Sequence, residues 1–218
     1  GKISRRDFMA GATALGLTAV SATALMSNSA HAATPKKGGR FRMGIGHGST
    51  TDSFNPATYE NGFATNLVFT HMNHLTEVDN DGKLIPELAA GWEPSSDART
   101  WTFKLRKGIE FHNGKTMDAD DVLASINHHR GKDTKSGAKG ILNPIEAIKT
   151  DGKDTIVFSL KDGNADFPFL VSDYHLAIFP SKDGKIIWEG GIGTGPYKVE
   201  KYEPGVRAFL TKNKNYWK

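Results

Sequence analysis

A mixed α/β fold, with α and β elements in irregular order, is predicted by three features of this 218-residue chain. Residues 100–106 set Trp101, Phe103 and Leu105 against Thr100, Thr102, Lys104 and Arg106, the two-residue period of a half-buried strand. Residues 120–129 carry Val122, Leu123 and Ile126 on one stripe behind an acidic start, as a core-facing helix does. Short runs of both kinds follow one another without internal repeat or low-complexity sequence, which argues for mixed strand pairing.

Taken in order, residues 34–39 form a flexible lead-in, and residues 40–46 alternate Phe41, Met43 and Ile45 with Arg42 and Gly44 as a first strand. Residues 49–60 are a polar loop turned by Asn55-Pro56. Residues 61–72 read as a helix, and residues 75–78 as a short strand ending in the Asn80-Asp81-Gly82 turn. Leu88 and Trp92 sit four apart and suggest a helical turn. Ser95-Ser96-Asp97 then bends the chain with side chains that hydrogen-bond their own backbone. After the strand at 100–106, Lys107-Gly108 and His112-Asn113-Gly114 each turn the chain before the helix at 120–129. Residues 130–140 are charged and glycine-containing, hence a loop, and residues 141–148 suggest a short helix. A strand is expected at 155–160, a compact turn at 166–172 and a strand at 175–179, stopped by Pro180. Strands at 197–202 and 207–212 follow the glycine-rich stretch 190–196.

The first residues match an export signal. Ser4-Arg5-Arg6-Asp7-Phe8-Met9 carries a twin-arginine pattern, residues 10–26 are apolar and uncharged, and Ala30-His31-Ala32 gives a small-x-small cleavage site. The expectation is a signal peptide over 1–32, cleaved near Ala32/Ala33, delivery by the twin-arginine translocase and a periplasmic mature protein. A retained membrane anchor is the competing reading, disfavoured by the weak hydrophobicity of the run. The chain has no cysteine, which excludes disulfides, thiolate metal sites and a cysteine nucleophile. Lysine and arginine number 28 against 24 acidic residues, interspersed, so no basic stripe for nucleic acid is present.

Several clusters carry candidate chemistry. The glycines between Gly190 and Gly195 lack the lysine and hydroxyl of a phosphate loop and precede a strand, so a tight turn is the better reading. Asp118, Asp120 and Asp121 suit a helix N-terminus better than a metal. His71 with His74, and His128 with His129, lack the partners of a metal site. No G-x-S-x-G elbow or S-x-x-K motif is present.

The run Pro86-Glu87-Leu88-Ala89, Gly91-Trp92, Thr100, Phe103, Leu105-Arg106, Gly108, Phe111-His112, Gly114, Ala119 and Asp121-Val122 keeps fixed spacings throughout. With Gly193-Thr194-Gly195-Pro196-Tyr197 and the Asn213–Trp217 segment, it resembles the family 5 solute-binding proteins of ABC importers, the peptide and nickel class. That resemblance implies a periplasmic binding protein class II-like fold. The first segment of an N-terminal lobe would span 33–74, an inserted small subdomain 75–181, and the return to the lobe 182–218. Relatives are longer, so the second lobe is expected to be missing and the sequence to be an N-terminal fragment.

The resemblance also implies function. A peptide-like or other small organic solute would be captured for delivery to a membrane permease, with no catalysis, cofactor or resident metal. Loop residues Tyr59, Glu60, Asn61, Gly62 and Phe63 are the candidate solute contacts: Glu60 for a cationic group, Asn61 for hydrogen bonding, Phe63 for stacking. Asn61 as a simple helix cap and Phe63 as a staple are the alternative. Ser136, in the 134–137 loop, is a second candidate, although this loop lacks the aromatic that relatives carry there. The alternatives by function are a twin-arginine-exported enzyme with a cytoplasmically loaded cofactor and a ligand-binding sensor.

Overall fold

The computed structural model describes residues 38–218. The twin-arginine stretch, apolar run and cleavage pattern lie outside the described residues, as does the start of the lead-in. No helix among the described residues is long and apolar enough to cross a membrane.

The central element is a four-stranded antiparallel sheet in the order β3 (Ala89–Pro94), β4 (Thr100–Leu105), β6 (Thr155–Leu160), β5 (Ile145–Thr150). The alternation read from β4 sets its burial: Trp101, Phe103 and Leu105 are buried, whereas Lys104 is exposed. Ile156, Phe158 and Leu160 on β6 extend the same apolar face. Phe103 meets Phe158 edge-on at 5.5 Å, and Phe158 meets Phe167 at 5.1 Å, geometries that aromatic quadrupoles favour.

Helix α2 (Ala119–His128) supplies Val122 and Ile126 to the same apolar cluster. A reciprocal cap starts it: Asp118 accepts from the Asp121 amide at 3.3 Å, and Asp121 accepts from the Asp118 amide at 3.1 Å. The buried Asp121 carboxylate also takes Lys115 and both the amide and hydroxyl of Ser181, so its charge is fully partnered. A smaller cluster joins Val68 and Met72 near the end of α1 (Gly62–His71) to Ala124, Ala177, Phe179 and Ile186.

Small hairpins complete the chain. β1 (Thr76–Val78) pairs β2 (Leu84–Pro86), β7 (Ser181–Lys182) pairs β8 (Lys185–Ile186), and β9 (Tyr197–Glu203) pairs β10 (Arg207–Lys212) with a bulge at Phe209/Leu210. Single helical turns α3 (Lys139–Leu142) and α4 (Phe167–Leu170), with 3-10 turns at Pro56–Thr58 and Tyr174–Leu176, fill the connections.

Four expectations are corrected. Residues 40–46 form no strand; Phe41 and Met43 are 86% and 56% exposed, and alternation without a ladder does not hold a strand. The turn around Leu88 and Trp92 is strand β3, with Trp92 opposite Phe103. A spacing of four is compatible with a period of two as well as with a helix. Residues 141–148 divide into α3 and β5, because Pro144 cannot continue the helix. Residues 175–179 start in a 3-10 turn and run on extended without a ladder, the Ile178 amide donating to the Asn73 carbonyl and the Phe179 amide to Ser125 Oγ. The β7–β8 hairpin, not among the expected elements, is turned by Asp183-Gly184 at φ of +53° and +74°, the Asp-Gly pair of a two-residue hairpin loop.

Candidate functional site: two loops on a buried histidine

The first loop is built by Asn55. Its Oδ1 accepts from the Ala57 amide at 3.1 Å and starts the 3-10 turn containing Pro56. Tyr59 follows with its side chain in the core, donating its hydroxyl to the Phe54 carbonyl at 3.0 Å. Burial, then the nearby Tyr202, raises its pKa well above the usual phenol range. The side chain of Tyr59 is therefore committed to the core. Glu60 and Gly62 are both exposed. Asn61 caps α1: Oδ1 accepts from the Ala64 amide at 2.9 Å, while Nδ2 donates to Asp52 Oδ1 at 2.7 Å. Phe63 is half-buried and stacks on Tyr202 of β9, the rings 6.4 Å apart and 9° from parallel.

The second loop, 134–137, is anchored by Ser136. Its hydroxyl is buried, lies 2.6 Å from His129 Nδ1 and accepts from the Ala138 amide at 3.1 Å. Gly137 beside it is exposed. His129, at the end of α2, is pushed down to about 3 by burial first and by His128 and His175 next. It is neutral in the folded protein, and its Nε2 has no partner.

The two loops meet at His175. Its Nε2 lies 2.9 Å from the Tyr59 carbonyl, and a methyl group at Gly137 would stand 2.7 Å from the same nitrogen. On the other edge, Nδ1 is 2.7 Å from Asp173 Oδ1. The structure thus brings Tyr59, Glu60 and Ser136 to one region, whereas Phe63 turns to β9. His175, Asp173 and Tyr174 are not among the expected site residues. Their one local signal is Asp173, two before His175 and able to cap its turn. The expected strand at 175–179 obscures it.

The remaining candidates resolve into packing. Gly193 and Gly195 lie against the end of α1, where a methyl group on either would overlap the His71 carbonyl oxygen. His71 Nδ1 faces the Leu67 carbonyl at 2.6 Å, and burial foremost pushes the ring down to about 4. Asp118 and Asp121 are engaged in the helix cap. Among the described residues no group of three or more His, Asp or Glu is arranged to hold a metal. Surface cavities lie elsewhere, one lined by Arg106, Met117 and Lys153, the other by Phe69, His74 and Tyr216.

The chain is similar to several known proteins. The chain is 31% identical over 196 residues to di/tripeptide-binding protein 1 of Pseudomonas aeruginosa, covering 76% of this chain and 36% of that protein. It is 28% identical over 166 residues to the nickel-binding periplasmic protein of Escherichia coli, covering 71% of this chain and 30% of that one. The periplasmic binding protein DppA of Helicobacter pylori, solved with the peptide STSA, superposes with a TM-score of 0.69 at 26% identity. That superposition covers 78% of this chain and 39% of DppA. The chain thus spans about a third of the length of these relatives, from 30% to 39%. The family model for bacterial extracellular solute-binding proteins, family 5, matches residues 83–218, and the chain belongs to that family.

Proposed function

We propose that the protein is the periplasmic substrate-binding component of an ABC importer, capturing a peptide-like or other small organic solute for its membrane permease. The observation that carries the reading is the convergence of two separate loops, 59–63 and 134–137, on His175 within a chain of this family. Exposed Glu60 and Gly62 and the edge of half-buried Phe63 form one solute-facing wall, with Tyr59 supporting the loop from the core. Gly137 and the backbone around Ser136 form the other. Glu60 supplies a negative charge, suited to a cationic or amino-terminal group of the solute. Family members are substrate-binding proteins, and relatives named as periplasmic support a periplasmic location.

The pattern of residues 1–32 supports, as part of this proposal, export through the twin-arginine route with cleavage near Ala32/Ala33. Residues 75–181 are proposed as an inserted subdomain flanked by 33–74 and 182–218. The main apolar cluster supports this, since its buried members run from Leu75 to Ile178. Closure of a further lobe over the solute would complete the site and present the closed form to the permease.

The reading is tested by thermal shift of the purified full-length protein against dipeptides, tripeptides, opines and nickel–histidine complexes. A melting rise that grows with the concentration of one class supports it. No shift with any class, together with visible absorbance from a bound flavin, haem or molybdenum cofactor, would favour the exported-enzyme reading instead.

A further inference from the structure

Both ring nitrogens of His175 face acceptors. The Asp173 carboxylate lies at 2.7 Å from Nδ1 and the Tyr59 carbonyl at 2.9 Å from Nε2. A neutral imidazole has one N–H, so either tautomer would turn a lone pair toward an oxygen. The imidazolium donates to both. Asp173 is the matching anion. Burial acts upward on its carboxyl, but hydrogen bonds from the His175 side chain and amide outweigh this and hold it below the usual range.

The ring is 6% exposed and wedged between the loops. Tyr174 lies 4.0 Å from it by ring centroids, and His129 approaches at 6.4 Å and 82°. His129 is bonded to Ser136 of the second loop, and its neighbour His128 places Nε2 2.8 Å from Asn55 Oδ1 at the root of the first. The circuit runs from one loop through three histidines to the other.

We propose that His175, as the doubly protonated imidazolium, is the positioning residue that fixes the 55–61 and 134–137 loops against each other and so sets the shape of the solute-facing surface. This rests on the reading of those loops given above. The titratable groups around the ring are Asp173 and Tyr174 on its own turn and Tyr59 and Glu60 on the facing loop. His128 and His129 face it from the end of α2, and His74 acts on Asp173 from beyond the end of α1. The Nε2 bond to the Tyr59 carbonyl ties the first loop to the ring directly, while the second loop is held by its packing at Gly137 and through His129 and Ser136.

The test is hydrogen exchange with mass spectrometry on the full-length protein, wild type and His175→Gln, alongside nitrogen NMR of the labelled imidazoles. The expected result is a protonated signal from both His175 nitrogens at neutral pH. Exchange in residues 55–63 and in 132–138 should be faster in the variant by about tenfold or more, while β4 and β6 are unchanged. Should the variant fail to fold, Gly137→Ala serves: its methyl group would stand 2.7 Å from His175 Nε2 and should speed exchange in both loops together, with β4 unaffected. A neutral His175 at neutral pH, or faster exchange in one loop alone, overturns the proposal. Failure of the solute reading looks different: no thermal shift with any solute class, while the two loops remain coupled.

Discussion

Gly195→Ala should be one of the most damaging single-methyl additions in this chain. A Cβ built on Gly195 stands 2.5 Å from the His71 carbonyl carbon, 2.7 Å from its oxygen and 2.8 Å from the Met72 nitrogen. These are main-chain atoms at the end of α1, so no rotamer change relieves the overlap. Separation to ordinary contact needs a shift of about 1 Å, given carbon contacts near 3.5 Å. That shift pulls on three hydrogen bonds at once. The Gly195 amide donates to the His71 carbonyl at 3.0 Å, and the Gly195 carbonyl accepts from His112 Nε2 at 3.0 Å and Asn213 Nδ2 at 3.2 Å. Overpacking costs about 1–3 kcal/mol, and each weakened bond adds about 1 kcal/mol. A loss of about 4–6 kcal/mol results, a large part of the stability of a typical domain.

Gly190→Ala is the control, because Gly190 has φ of +81° but no atom within 4 Å of the added carbon. It should cost only the left-handed backbone penalty, about 1–2 kcal/mol. Urea unfolding of the full-length protein, followed by tryptophan fluorescence, reads both midpoints. If Gly195→Ala unfolds within about 1 kcal/mol of wild type, the size of an ordinary tolerated change, the close crossing at the end of α1 is wrong.

Other predictions concern pH, the loop and export. His71 and His129 are neutral when folded, at about 4 and about 3, against an ordinary 6.5. The unfolded chain therefore binds more protons below 6.5, and stability should fall as pH drops from about 6.5 toward 4, with no contribution from these rings above that range. His71→Leu should reduce that slope by up to one proton, measured as unfolding midpoint against pH. Phe63→Ala should weaken solute binding about tenfold, roughly 1.4 kcal/mol, with the unliganded melting temperature near wild type. A large melting loss with affinity unchanged would make Phe63 a packing residue against Tyr202. Arg5→Lys combined with Arg6→Lys should leave the precursor in the cytoplasm, read by fractionation. Normal periplasmic accumulation would point to the general secretory route.

Legibility follows locality. β4 is readable because one of its faces is buried and the other is not, and α2 because Asp118, Asp121 and the stripe of Val122 and Ile126 agree on its start and face. β3 is obscured by a spacing compatible with two periods, and only pairing with β4 decides it. Residues 40–46 show the converse, a strand pattern without strand pairing. In the candidate site, the cap role of Asn61 is visible in its place before a helix. His175 is not. Its partner Tyr59 is 116 positions away, and local sequence carries no sign of that contact. The close fit of Gly195 on His71 is hidden for the same reason, although the Gly-Thr-Gly-Pro-Tyr segment stands out in the sequence.

The most direct test of the account is isothermal titration of the purified full-length protein with solutes chosen by the thermal-shift panel. The account predicts saturable binding of one peptide-like or small organic solute, one per protein, at micromolar affinity or tighter, about −8 kcal/mol. Glu60→Gln should weaken it while His71→Leu does not. Binding that is absent across every class, or that is indifferent to Glu60, Phe63 and His175 alike, would contradict the claim that these two loops form a solute-binding surface.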